Sequence, residues 1–250
     1  MRGLGGRAFV VTGAASGIGY AICRRLVEEG ARVAMIDRDE ERLAAAGRAL
    51  GEGGALPLAA DVADPAAMEA AIARAGERFG DLSGVVTSAA IFIAEDRLPI
   101  ATVPVETFAR TLAVNLTGTF LAVQLVLPHL VRTRGAVVTI ASTAGLRGHG
   151  FGSGYTASKG GVIALTRLVA FQYGAQGVRA NCLCPGPVDT PMSGGAYRQP
   201  EWVARLKRTV PIGRAAEPDE IAATACFLLS GDAVYVSGQI VAVDGGAGVM

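Results

Sequence analysis

A chain of 250 residues is long enough to form one large α/β domain with a substantial core. Hydrophobic residues make up 51% of the chain and charged residues 18%, a balance that excludes intrinsic disorder. The formal net charge is +1, and no run of Lys or Arg predicts a nucleic-acid or membrane surface. The mean hydropathy of +0.40 is high, but we find no unbroken run of about 18 apolar residues, so buried strands and subunit contacts explain it better.

The first half of the chain alternates between strand and helix patterns. Residues 1–7 lack the apolar core of a signal peptide, so we expect a cytoplasmic protein. Apolar runs predict strands at 8–12, 31–36, 55–60 and 85–89. Between them we predict a helix with Ile18, Ile22 and Leu26 on one face and Gly30 after its end, a helix at 40–50, and one capped by Asp64 with Pro65 in its first turn.

The second half continues the same alternation. Strands are predicted at 136–141, 178–184 and 239–243, and helices within 106–132, at 155–173 and at 221–229. This order predicts a single domain, residues 1–250, with a doubly wound parallel sheet of about seven strands and helices on both faces. Residues 192–209 break the alternation, and we predict that they form a mobile substrate-binding lid.

Four cysteines are too few for a disulfide scaffold in a chain of this length. With only His129 and His149 as further soft ligands, we expect no metal site. All four cysteines are therefore interpreted as small buried hydrophobes, with Cys182 and Cys184 on opposite faces of their strand.

A glycine-rich turn separates the first strand from the first helix. Its spacing is Gly-x-x-x-Gly-x-Gly, from Gly13 through Gly17 to Gly19. Glycines at such a turn let backbone N–H groups approach a pyrophosphate at a helix N-terminus. Ser16 and Ile18 belong to the same turn, which predicts a dinucleotide site.

Asp37 and Asp61 each follow a predicted strand. A carboxylate about 20 residues after the glycine turn can accept hydrogen bonds from the adenosine ribose, and it repels the 2′-phosphate of NADP. Asp37 therefore predicts NAD as the cofactor, with a plain strand-end role as the alternative. Asp61 is a candidate for the adenine amino group, with helix capping as an equal alternative.

Tyr155 and Lys159 are four residues apart in a predicted helix, so their side chains share a face. A neighbouring ammonium, helped by a positive nicotinamide ring, is expected to lower the pKa of a phenol and make it a usable base. Only Lys159 and Lys207 are lysines in a chain with many arginines, so the placement of Lys159 beside Tyr155 is notable.

These motifs together resemble the short-chain dehydrogenase/reductase family, in its compact single-domain branch. The resemblance covers nearly the whole chain. It is carried by residues 12–19, Asp37, Asp61-Val62, Asn115 in Val-Asn-Leu-Thr-Gly, Ser142 before Thr143-Ala144-Gly145, residues 155–159, 181–186, 188–191 and 238–246. It implies a Rossmann-type fold, a nicotinamide cofactor and a homotetramer, with a dimer as the fallback.

The resemblance also implies residue roles. Tyr155 would be the acid–base group, Ser142 would hydrogen-bond the substrate oxygen, Lys159 would hold the nicotinamide ribose, and Asn115 would anchor a proton-relay water. The implied cofactor contacts are Gly13, Ser16, Gly17, Ile18, Gly19, Asp37, Asp61, Val62, Ala89, Tyr155, Lys159, Pro185, Gly186, Val188 and Thr190. The expected substrate contacts are Ser142, His149, Tyr155 and Met192, with an exposed loop position as the alternative for His149.

One segment departs from the family pattern. The family usually has Asn-Asn-Ala-Gly after the fourth strand, where this chain has Thr87-Ser88-Ala89-Ala90. Thr87 replaces only part of the hydrogen bonding of the usual Asn, which tethers neighbouring strands. Ala90 places a methyl group where glycine leaves room beside the adenosine ribose.

The sequence thus predicts an NAD-dependent enzyme that interconverts a small-molecule secondary alcohol and its ketone, without a nucleic-acid or membrane partner. Two alternatives stay open. One is a dinucleotide-binding sensor or scaffold without catalysis, which the presence of Ser142, Tyr155 and Lys159 disfavours. The other is an NADPH-dependent 3-oxoacyl reductase, which Asp37 disfavours.

Overall fold

Short runs of apolar residues form the strands, and polar or glycine-rich turns end them. The computed structural model describes residues 1–51, 53–147 and 152–249. The strands are β1 Ala8–Thr12, β2 Arg32–Asp37, β3 Ala55–Ala59, β4 Leu82–Thr87, β5 Ala136–Ile140, β6 Arg179–Pro185 and β7 Ile240–Val243. The helices are α1 Gly17–Glu28, α2 Glu40–Ala49, α3 Pro65–Phe79, α4 Val105–Leu112, α5 Gly118–Thr133, α6 Ser153–Tyr173, α7 Pro200–Thr209 and α8 Pro218–Leu229.

The strands of the described chain form one parallel sheet in the order β3-β2-β1-β4-β5-β6-β7. This confirms the predicted doubly wound sheet of about seven strands. The direction of strand order reverses between β1 and β4. A crevice opens at such a switch point, outside the carboxyl ends of the strands, and ligands bind there in sheets of this type.

Helices cover both faces of the sheet because neighbouring residues of a strand point to opposite sides. In β1, Phe9 and Val11 pack into the cluster that α1 and α8 contribute to, while Ala8 and Val10 pack into the cluster of α3 and α5. All five residues of β1 are buried. The central strands are therefore continuous apolar runs, and their rigid carboxyl ends fix the position of the loops that follow.

The helix boundaries agree with the sequence to within a few residues, most closely where capping chemistry sets them. The carboxylate of Asp64 accepts hydrogen bonds from Ala66 and Ala67, and Pro65 is the first residue of α3, as predicted. Gly30, with φ of +79°, follows the end of α1. The predicted helical stretch 106–132 is interrupted, because a π-helical turn at Ala113–Thr117 separates α4 from α5. Such turns often coincide with functional residues.

The segment Val105–Thr133 is also the one candidate membrane span in the described residues. The segment is long enough to cross a bilayer. Its most apolar 18-residue window has a mean hydropathy of 1.5, and 39% of that window is buried within the protein. The segment has no unbroken apolar run, but its average hydropathy alone marks it as a candidate. The core helix of a soluble protein passes the same test, and α5 packs against the sheet through Ala122, Val126 and Leu130.

Candidate active site

The glycine turn brings the start of α1 close to the loop after β4. Gly13 has φ of +68°, and a Cβ there would lie 2.7 Å from the backbone of Ala89. At Gly19 a Cβ would lie 2.1 Å from the carbonyl oxygen of Gly13. Only glycine fits at either position, so the turn forms a cradle whose floor is bare backbone at a helix N-terminus, which suits a pyrophosphate.

Asp37 ends β2 with its carboxylate held by two backbone amides. Its Oδ2 accepts from Ala15 at 3.1 Å, and its Oδ1 accepts from Asp39 at 3.1 Å. A carboxylate has about four acceptor positions, so capacity remains for ribose hydroxyls. The Oδ1 of Asp61 accepts from the amide of Ala63 at 2.9 Å, a local turn contact and not a helix cap, since Asp64 caps α3; the second oxygen remains for a ligand.

A solvent-open cleft of about 400 Å³ lies between these elements. It brings together five of the predicted cofactor residues, including both carboxylates. Its lining residues are Gly13, Asp37, Arg38, Ala60, Asp61, Val62, Ala89, Ala90, Ile91 and Val114. The cleft presents the carboxylates of Asp37 and Asp61, which are acceptors for the hydroxyl and amino groups of an adenosine.

The loop after β6 passes over the other end of the glycine turn. Thr190 is its closest point, since a Cβ on Gly17 would lie 3.4 Å from the Cγ2 of Thr190. Val188 is buried and bridges to Ala216. A Cβ on Gly186 would meet the backbone of Asp244 at 2.9 Å, so this loop is also packed too closely for a side chain. Together with Pro185, Ser16 and Ile18, these residues extend the cradle toward the catalytic side chains.

Ser142, Tyr155 and Lys159 converge at the carboxyl ends of β5 and β6. The side chains of Ser142 and Tyr155 are hydrogen-bonded to each other, and the Oγ of Ser142 also accepts from the amide of Ala144 at 3.1 Å. The Nζ of Lys159 lies 5.5 Å from the centre of the Tyr155 ring and donates to the carbonyl oxygen of Ile140 at 2.8 Å. The structure therefore brings the predicted catalytic trio together.

The electrostatics of this trio differ from the sequence argument. Burial raises the pKa of Tyr155 to about 12, and the hydrogen bond with Ser142 offsets only part of that effect. Burial also lowers the pKa of Lys159 to about 8. In the protein alone, Lys159 therefore does not make Tyr155 acidic, because desolvation of the buried phenolate is the largest effect on the pKa of Tyr155.

Asn115 lies in the π-helical turn and is fully buried. Its Oδ1 accepts from the amide of Ile91 at 2.8 Å, and its Nδ2 donates to the carbonyl oxygen of Ile91 at 3.1 Å and to the Oγ of Ser158 at 3.2 Å. Both N–H bonds are thus used, and one lone pair of Oδ1 remains for the proposed water. The observed role of Asn115 is to hold the backbone of the loop after β4.

The departure at residues 87–90 changes how β1 is tied to β4. The Oγ1 of Thr12 accepts from the amide of Ala89 at 3.3 Å, so the side chain that links β1 to the loop after β4 belongs to β1. Within the described residues, the buried Oγ1 of Thr87 has no hydrogen-bond partner. Ala90 lines the same cleft as Gly13, Asp37 and Asp61.

Aromatic side chains that the sequence motifs do not single out lie around Tyr155. The ring of Phe92 lies 5.2 Å from that of Tyr155, nearly at a right angle. The negative charge of a Tyr197 phenolate would contribute to raising the pKa of Tyr155, which places Tyr197 nearby. Within the predicted lid, the ring of Tyr197 packs edge-on against that of Trp202, with 5.6 Å between the ring centres.

Two predicted substrate residues have different outcomes. Met192 lies in a short helical turn at Pro191–Ser193 and is half exposed at the edge of the lid. His149 lies outside the described residues.

The four cysteines are free and buried, as expected. The prediction that Cys182 and Cys184 face opposite sides of β6 is wrong, because residues two apart in a strand share a face. Both belong to the cluster beneath α6, and the hydrogen bond between their side chains lowers the pKa of Cys182 and raises that of Cys184. Among the described residues, no three His, Cys, Asp or Glu side chains form a candidate metal site.

Comparisons with known proteins identify the family. A family model described as enoyl-(acyl carrier protein) reductase matches residues 13–248. The chain is 44% identical over 232 residues to the inactive 2-(S)-hydroxypropyl-CoM dehydrogenase 2 of Xanthobacter autotrophicus, covering 90% of this chain and 98% of that protein. It is 42% identical over 246 residues to the galactitol 2-dehydrogenase (L-tagatose-forming) of Cereibacter sphaeroides, covering 97% and 95%.

A solved structure agrees with these sequence matches. The crystal structure of levodione reductase has a TM-score of 0.92 at 35% identity, and the match covers 98% of this chain and 99% of that one. The glycine cradle, the strand-end carboxylate and the Ser–Tyr–Lys trio therefore occur in a chain that belongs to the short-chain dehydrogenase/reductase family.

Proposed function

We propose that this protein interconverts a secondary alcohol and its ketone, with NAD as the hydride carrier and Tyr155 as the acid–base residue. One observation carries the proposal: the hydroxyls of Ser142 and Tyr155 are hydrogen-bonded to each other, and the ammonium of Lys159 lies 5.5 Å from the centre of the Tyr155 ring. A hydroxyl pair of this kind binds one oxygen atom of a substrate and exchanges a proton with it.

The chain's own residues account for the proton and for the position of the substrate. In the oxidative direction, the phenolate of Tyr155 takes the hydroxyl proton of the alcohol while Ser142 holds the same oxygen. Bound NAD supplies the hydride acceptor. Phe92 packs against the Tyr155 ring and limits its movement, so the phenol stays at one distance from the substrate oxygen.

The proposed preference for NAD rests on Asp37. Its carboxylate lines the cleft and is fixed by Ala15 and Asp39, so it cannot easily turn away from a 2′-phosphate. Two like charges about 4 Å apart near a protein surface repel by roughly 4 kcal/mol before screening. Even a third of that energy corresponds to about tenfold in affinity. Arg38 also lines the cleft and offsets part of the repulsion.

A panel of secondary alcohols assayed with NAD and with NADP tests the proposal, with reduced cofactor followed by absorbance. We expect faster turnover with NAD, and Asp37→Ala should narrow the NAD-over-NADP ratio by about tenfold. Asp39→Ala is the matched control. Asp39 is exposed, lies two residues after Asp37 and caps α2, where its side chain accepts a hydrogen bond from the amide of Arg42. It should keep the wild-type ratio. A wild-type enzyme that prefers NADP would overturn the argument.

The non-catalytic alternative has one observation in its favour, since a relative at 44% identity carries the word inactive in its name. Against it, each side chain required for proton transfer is present here and gathered in one place. If no alcohol or ketone in the panel is turned over with either cofactor while NADH still binds, the sensor interpretation replaces the enzyme.

We also propose that the protein assembles as a homotetramer, with a dimer as the fallback, through the outer faces of α4, α5 and α6. These helices expose large apolar side chains that the sheet does not cover: Phe171 is 86% exposed, Val105 75%, Leu168 49% and Phe120 43%. Light scattering should give a multiple of 25.5 kDa. Phe171→Asp should shift it toward smaller species, since a buried unpaired charge opposes association. A monomeric wild type would contradict the proposal.

A further inference from the structure

A buried carboxylate lies at the start of the helix that carries Tyr155. The side chain of Asp96 is 0% exposed. Its Oδ1 accepts from the amide of Gly154 at 2.7 Å, and its Oδ2 accepts from the amide of Tyr155 itself at 2.8 Å. The residue in the N-cap position of α6, Gly152, has no side chain to do this. The first turn of α6 is therefore capped by a residue 58 positions earlier in the chain.

The segment that carries Asp96 is held at both ends. Asn115 holds the backbone N–H and C=O of Ile91, and Asp96 holds α6. Phe92 lies between these anchors, with its ring against Tyr155. One short segment thus fixes the backbone of Tyr155 and also one wall around its ring.

The contact leaves no spare room. A Cβ on Gly152 would lie 2.2 Å from the Oδ2 of Asp96, closer than a carbon can approach an oxygen. Gly152 has φ of −70° and ψ of 157°, a conformation that alanine adopts readily. Such a Cβ would also lie 2.6 Å from the backbone carbonyl oxygen of Asp96. Gly152→Ala should therefore act by displacing residue 96, both its carboxylate and its backbone, with the charge retained and without strain in the backbone of residue 152 itself.

We propose that Asp96 is a positioning residue of the reaction, which sets the place of the Tyr155 phenol by fixing the first turn of α6. The proposal rests on the proposed function, since it takes Tyr155 as the acid–base residue. Hydrogen bonds from amides to a carboxylate are charge-assisted and short, so they define the turn more tightly than a neutral cap. A displacement of about 1 Å in a catalytic group can lower a rate by about a hundredfold.

Steady-state kinetics of Asp96→Ala, Gly152→Ala and the double variant test this role. Each single variant should lower kcat by about tenfold or more, while the Kd for NADH, measured by fluorescence titration, stays within about twofold. The loss of kcat in the double variant, as a free energy, should be smaller than the sum of the two single losses, because the added methyl group no longer meets a carboxylate and meets only the backbone carbonyl oxygen of residue 96. Additive losses in the double variant would overturn the shared contact.

Asp64→Ala provides the matched control for a purely structural cap. Asp64 likewise accepts from two amides, at 3.0 Å and 3.2 Å, but at the start of α3. It should lower the Tm and leave kcat unchanged. If Gly152→Ala and Asp96→Ala also lower only the Tm, the positioning role is wrong. If Asp96→Ala does not fold, Gly152→Ala decides alone. An inactive wild type would instead count against the proposed function.

Discussion

Tyr155→Phe is expected to lower kcat for alcohol oxidation by about a thousandfold, while the Kd for NADH changes by less than about twofold. The substitution removes one hydroxyl, which is the hydrogen-bond partner of Ser142 and the proton acceptor proposed above. The ring remains, with its contact to Phe92 at 5.2 Å. The loss should therefore fall on the chemical step and spare cofactor binding, and comparing kcat with an NADH titration measures the two separately.

Tyr173→Phe is the control for this substitution. Tyr173 is the last residue of the same helix, packs partly buried in the core and lies far along α6 from the site. It should retain the wild-type kcat. Unchanged turnover in Tyr155→Phe would remove the phenol from the mechanism and leave the geometry of the trio without a reaction.

The fold was predictable from sequence because buried parallel strands are continuous apolar runs, and the chain marks their ends with polar residues and glycine. The strand at 8–12 and the Asp64-Pro65 start of α3 agree with the structure to the residue, since each depends on local chemistry alone. The interruption at Ala113–Thr117 was missed, because a π-helical turn keeps the helical pattern of apolar residues while it shifts the register.

The residues of the site differ in how far the sequence alone predicts them. Tyr155, Lys159 and Asp37 stand in motifs whose spacing is itself informative. Asp96 has no such spacing, because it reaches Tyr155 across 59 positions and its partners are backbone amides that every residue carries. The sequence does contain one indication. Glycines at positions 152 and 154 lie at the start of the helix and leave room for a carboxylate from a distant part of the chain.

The pKa of Tyr155 was predicted in the wrong direction, because it depends on burial in the folded protein. Proximity of Tyr155 and Lys159 follows from their spacing, but the degree of burial does not. Attraction between phenolate and ammonium lowers the pKa of the phenol, and this attraction, but not desolvation, was considered from the sequence. Desolvation is the larger effect on the pKa of both groups. This omission has a measurable consequence at Lys159.

Lys159→Met is expected to make the folded protein more stable at neutral pH while it abolishes useful turnover. Burial lowers the pKa of Lys159 from 10.5 to about 8, which corresponds to about 3 kcal/mol lost in holding the charged form inside. Methionine fills a similar volume without a charge. It also leaves the carbonyl of Ile140 without its donor at 2.8 Å, so the net gain in the free energy of unfolding should be about 1–2 kcal/mol.

The pH dependence separates this cause from a general packing effect. In the wild type, between about pH 8 and 10.5, the unfolded lysine keeps a proton that the folded one has lost, so stability rises with pH across that window. The advantage of Lys159→Met should therefore shrink as pH rises through the window, whereas Tyr155 contributes equally to both proteins. Urea unfolding at about pH 7 and about pH 10 measures the difference.

Lys207→Met, at the exposed second lysine, should show neither the gain nor its pH dependence. A Lys159→Met protein that is less stable than wild type at pH 7 would mean that the ammonium stabilises the fold, and that the low pKa is not the dominant feature of this site.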